Sequence, residues 1–149
     1  MAKPPTFTFD TSAQLQDAGL VASSAAGTRV LDLGPGIGFR AGVVVIDISA
    51  MDIASNDEAY TIIVQGSPDA AFGTAGNIVE LSAVQLGAKE VKLSDSDRDD
   101  AVGRRLLPYV NTGEDGVALR YLRLYIVAVT TTPSINFTAF NCDIHQLVA

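Results

Sequence analysis

The sequence has no tryptophan, one cysteine, one histidine and ten lysines and arginines in 149 residues, and each scarcity removes a class of function. With Cys142 alone, no intrachain disulfide can form and one chain cannot assemble a thiolate metal site, so nothing calls for an oxidising compartment. With His145 alone, a histidine-rich metal site is excluded and any catalytic triad must be built around that imidazole. Cys142 and His145 are three positions apart, which on a strand puts them on opposite faces. A Cys–His pair is therefore disfavoured, and the expected arrangement is a small buried thiol with a surface imidazole. Seventeen carboxylates outweigh the ten cations, giving a formal charge of −7 and a pI near 4.4. Such a field repels phosphate backbones, so no nucleic-acid partner is expected. Nor does any run approach the roughly 18 apolar residues of a membrane span, and residues 1–10 lack the apolar stretch of a signal peptide. The chain is expected to be made and kept soluble, with no membrane partner.

What is present is a 48% apolar composition drawn largely from Ala, Val, Leu and Ile, with charged residues at 18%. A charged fraction below the usual ~25% argues against disorder. It leaves a chain that has a large core or gives part of its surface to partners. The length is that of about one domain, enough to bury roughly 70% of the unfolded surface. No period of 20 to 50 residues recurs and no low-complexity tract intervenes, so a single domain over residues 11–149 is expected.

Short β-branched runs closed by Gly, Pro, Asn, Asp or Ser recur along the chain, as in an all-β sandwich or barrel. They cover residues 28–33, 42–49, 60–65, 78–84, 89–93, 106–111, 119–130 and 135–147, with Phe7 and Phe9 as a possible ninth. About eight strands with little helix suit two packed antiparallel sheets. In residues 119–129, Leu122, Leu124 and Ile126 share one parity and should face the core, while Tyr121, Arg123 and Tyr125 share the other. The one helix candidate is residues 12–18, with Thr11 and Gln14 at capping-box spacing and Gly19 as a stop, but a segment this short is marginal alone.

Four patterns invite a chemical reading. Gly34, Gly36 and Gly38 follow a strand, but a phosphate-cradling fingerprint needs its glycines to open a helix, and a valine-rich strand follows instead. A tight inter-strand loop is expected. Asp95, Asp97 and Asp99 alternate as in a calcium loop, without the central glycine and distal glutamate that such a loop needs, so a solvated acidic turn is expected and no metal. Carboxylates are plentiful enough for a glycosidase pair, whose defining separation is spatial. A sugar-stacking platform would be thin with four tyrosines and no tryptophan, and no enzyme is read from these residues. The arm, residues 1–10, holds Pro4 and Pro5, which favour extended polyproline geometry, and Phe7 and Phe9, which share a parity. It reads either as an extension toward a neighbouring subunit or as an edge strand of its own sandwich.

The chain resembles the jelly-roll cement (decoration) proteins of tailed bacteriophage capsids. The likeness rests on Val30-Leu-Asp-Leu-Gly34, on Ile63-Val-Gln-Gly-Ser-Pro-Asp-Ala-Ala-Phe72, and on Leu119-Arg-Tyr-Leu-Arg-Leu124 followed by an alternating strand and Thr138-Ala139. The order and spacing of these segments carry it across most of the chain. The resemblance implies a two-sheet jelly roll, no cofactor, and self-association, with a homodimer favoured over a trimer. It also implies the major capsid protein as partner and a place on the capsid exterior of the virion. Pro4, Pro5, Phe7, Phe9, Tyr121, Arg123 and Tyr125 are the candidate interface residues. The rival reading is a carbohydrate-binding jelly-roll module, which would want an aromatic platform and often a structural calcium.

Overall fold

Side chains alternate across a strand, so a sheet with one apolar parity must hide that face against a second sheet. The computed structural model, which describes residues 7–90, 99–130 and 132–143, has that arrangement. Its strands are β1 (Gln14–Gln16), β2 (Leu20–Val21), β3 (Ala25–Asp32), β4 (Ala41–Met51), β5 (Ala59–Ser67), β6 (Val79–Gly87), β7 (Gly103–Val110), β8 (Tyr121–Val129) and β9 (Ile135–Asp143). In the five-stranded sheet, β1 and β2 both pair with β9, which pairs in turn with β4, and β4 with β7. The four-stranded sheet runs β3-β8-β5-β6, and every pairing in both sheets is antiparallel. With β1 and β2 sharing one strand position, the chain changes sheet at every later connection except β5–β6. This is the jelly-roll order.

The core lies between β4, β7 and β9 on one side and β5 and β8 on the other. Val44, Ile46, Ile48, Phe137 and Ala139 meet Tyr60, Ile62, Val64, Leu122, Leu124 and Ile126 there. Tyr60 is fully buried, and its hydroxyl lies 2.9 Å from the Asp52 carbonyl and accepts the Ser134 amide at 3.0 Å, so the polar end of the ring is satisfied. Gly42 is required by a close approach: a Cβ there would sit 2.7 Å from the Tyr109 hydroxyl. The bare backbone lets the Tyr109 ring lie flat and donate to Asn141 Oδ1 at 2.7 Å.

The strands expected at 28–33, 42–49, 60–65, 78–84, 106–111 and 119–130 are found with shifted ends, and that at 135–147 is described as far as Asp143. The marginal helix candidate over residues 12–18 does not form an α-helix. Thr11–Ala13 forms a single 3-10 turn whose cap is Asp10, accepting the Ser12 amide at 2.9 Å, and the chain then enters β1. A short helix pays a nucleation cost. Extended backbone instead pairs Gln14 and Gln16 with β9 and buries Leu15 completely. Of the strand expected at 89–93, Lys89 and Glu90 are outside any strand and the remainder falls outside the described residues.

Replacing Phe137 by Ala should lower unfolding free energy by about 3–5 kcal/mol, because a fully enclosed ring leaves a cavity. Val129→Ala, at an exposed site, should change it by less than about 0.5 kcal/mol. Urea titration of the two variants measures both, and equal midpoints would contradict the placement of the core.

Candidate functional site

The outer face of the four-stranded sheet is organised around β8. Tyr121, Arg123 and Tyr125 point away from the core as their parity requires, each half-buried and alternating with the fully buried Leu122, Leu124 and Ile126. Antiparallel register sets Arg123 beside Val30 of β3 and Gln65 of β5, and Tyr125 beside Ile63 of β5. Arg123 donates its Nε–H to Gln65 Oε1 at 2.9 Å. Its guanidinium carbon lies 4.3 Å from the centroid of Phe72 and 5.8 Å from that of Tyr125, an electrostatic attraction to the ring faces. Arg120 lies likewise over Tyr121, at 5.0 Å.

Phe72 reaches this face because the loop after β5 is built to aim it. The Asp69 carboxylate accepts the amides of Ala71 and Gly73, both at 3.1 Å, and the Phe72 amide bonds the Asp69 carbonyl. The result is a Phe72 backbone with φ of 51°, a left-handed conformation that is strained for a residue with a bulky side chain. Those two amides hold the Asp69 carboxyl below its ordinary value. Neither Phe72 nor Gln65 emerged from the sequence as an interface residue. Ser67-Pro68-Asp69 marks a turn, but the aim of the following ring depends on a φ that propensity argues against. Gln65 gains its role only from the β5–β8 register.

The outer face of the five-stranded sheet carries the second apolar patch. Val45, Phe140 and Cys142 are buried there, on the side opposite the main core, with Phe7 packed over them. Phe9 meets Phe140 edge to face at 5.2 Å, and Arg104 lies 5.8 Å from the Phe7 ring. Residues 7–10 adopt no strand and lie across their own sheet. Pro4 and Pro5 lie outside the described residues. Cys142 is buried as expected, though beneath this segment instead of within the main core, and burial pushes its thiol up. His145, Asp95 and Asp97 lie outside the described residues.

At one end of the sandwich a polar cleft of about 320 Å³ is lined by Asp10, Asp32, Arg40, Asn141 and Asp143 among others. Two hydrogen bonds from Arg120, at 2.7 Å each, and the Gly34 amide hold Asp32 down to about 2. Bonds from Ser12 lower Asp10. Both are ionised at neutral pH and are poor proton donors. The neighbouring glycine loop has Gly34 and Gly36 in left-handed conformations and leads from strand to strand, as its spacing predicts. Among the described residues, no group of three or more His, Cys, Asp or Glu is arranged to hold a metal ion, and no helix is long and apolar enough to cross a membrane. No family model and no curated protein matches the chain.

Two outcomes follow. A carboxyl whose folded pKa is depressed stabilises the fold above its unfolded value, and that contribution is lost as pH falls through the folded value. Asp32, lowered from 3.8 to about 2, and Asp69 should therefore make melting temperature fall as pH drops from about 4 to about 2. Asp32→Asn should be less stable at neutral pH and lose less on acidification; parallel wild-type and variant curves would contradict this. Deleting residues 1–9 should uncover Cys142, speeding its reaction with a thiol reagent at least about tenfold while the β-rich circular dichroism persists. An unchanged rate would mean that the segment does not cover the thiol.

Proposed function

We propose that this chain is a structural virion protein, a capsid cement protein that binds the outer surface of a tailed phage's major capsid shell. The observation that carries this reading is the outer face of the four-stranded sheet. There Arg123 lies against Tyr125 of its own strand and Phe72 of the loop after β5, and Arg120 against Tyr121, with the β5–β8 pairing and the Asp69 turn holding these side chains in fixed relation. Aromatic residues and arginine are the types that dominate interface free energy. The jelly-roll strand order and the low charged fraction also support it.

The mechanism is mass action. Packaged double-stranded DNA pushes outward, and a protein that binds across neighbouring shell subunits stabilises the joined state in proportion to its differential affinity for it. Many copies repeat the gain, so modest affinity per copy suffices. A capsid-exterior location and self-association as a homodimer belong to the same proposal. Three aromatic rings on one face give the carbohydrate-binding reading its footing, yet each already carries a guanidinium against it, where a sugar would stack.

Particles lacking this protein should assemble but rupture or release DNA at a lower temperature, and sooner in low salt. Adding the purified protein back should restore them. Failure of bare and decorated particles at the same temperature contradicts the cement role, and specific binding on a glycan array would favour the carbohydrate reading in its place.

A further inference from the structure

We infer that Arg123 is an anchor for a carboxylate presented by a partner protein. In a chain of net charge −7, a guanidinium has many carboxylates to choose from. Arg29, Arg40, Arg104 and Arg120 each face an aspartate at 2.7 to 3.7 Å. Arg105 is bonded by the carbonyls of Ala101 and Arg104. Arg123 differs from all of them: its one hydrogen bond goes through Nε to an uncharged amide, and its two terminal nitrogens have no partner among the described residues. Glu80, paired with Gln65 one strand further out, forms no ion pair with it.

The geometry adds to the charge. Rings and strand neighbours already desolvate Arg123 in part and fix its plane. Phe72 lies 4.3 Å away on one side, Gln65 holds Nε, and Val30 and Ile63 supply aliphatic surroundings. A guanidinium held in this way has lost its rotamer freedom before a partner arrives, and its remaining N–H fork matches the two oxygens of a carboxylate. The apolar rim would exclude water from that pair, which is how a central ionic contact becomes strong. The left-handed Phe72, held by the Asp69 turn, is a second and independent sign. Backbone strain of this kind persists where the surrounding structure enforces it, and here it serves to place a ring on Arg123. The fitting occupant is a protein surface with one Asp or Glu flanked by apolar side chains. That this surface is the capsid shell rests on the cement reading; that it presents a carboxylate rests on Arg123.

The test needs no shell, so its failure is separate from failure of that reading. The isotopically labelled full chain is titrated with the peptide acetyl-Leu-Glu-Leu-amide, with its Gln counterpart and with glucuronate, following the Arg123 Nε–H and the Val30 and Ile63 amides by NMR. The Glu peptide should give saturable shifts at all three positions, binding at least about tenfold more tightly than the Gln peptide. Arg123→Gln should abolish the preference, and Arg123→Lys, which keeps the charge without the fork, should weaken it severalfold. If the Gln variant does not fold, the Lys variant decides, since undiminished preference there would overturn the role of the fork. Equal response to both peptides, tighter binding of glucuronate, or shifts that track protein concentration without peptide would each overturn the proposal. These would point respectively to a purely apolar face, an acidic-sugar site and a self-association surface.

Discussion

Burial of β4 and β9 against β5 and β8 is the interaction on which the rest of the molecule depends. Ile46, Ile62, Leu122, Leu124, Ile126 and Phe137 have essentially no exposure, and they come from both sheets. Because alternation is strict, fixing that interior also fixes what lies outside: Tyr121, Arg123 and Tyr125 on one surface, Val45, Phe140 and Cys142 on the other. A register slip of one residue would exchange inside for outside. The outer faces are thus as well determined as the core.

Polar anchors hold the ends of the sandwich. Asn111, fully buried, accepts the Arg40 amide at 2.7 Å and donates to the carbonyls of Gly38 and Leu119, so one side chain ties the glycine loop to the β7–β8 connection. Glu58, also buried, accepts the amides of Ser55 and Asp57. Burial raises its carboxyl, but these bonds outweigh that and leave it lower than an ordinary glutamate. Both residues satisfy backbone groups that would otherwise be stranded where strands turn between sheets.

The two-sheet all-β architecture was legible because period-2 alternation and turn residues are local signals. Residues 119–129 announce both faces of β8 correctly for that reason. At residues 12–18 the capping-box spacing offers a marginal helix because it too is a local signal, while the pairing of β1 with β9 that overrides it comes from the far end of the chain. The candidate face was half legible. Tyr121, Arg123 and Tyr125 follow from parity, but Phe72, Gln65 and Val30 join them through register and through a backbone angle that no propensity favours. Pairing partners Cys142 with Phe7 and Thr8 are likewise distant in sequence, which is why the cover over that thiol was not read from either segment.

On the proposed reading, the outer face of the four-stranded sheet is the docking surface, with Arg123 at its centre and the Phe72 loop beside it. β8 and β5, the inner strands of that sheet, are paired on both sides, so on that reading a partner meets this face through side chains and not by strand addition there. Hydrogen–deuterium exchange of the protein free and bound to bare capsid shells tests this most directly. New protection in β8 and in the loop from Ser67 to Gly73, with β4, β7 and β9 unchanged, is the expected result; protection confined to the five-stranded sheet and the segment from Phe7 to Asp10 would overturn that placement.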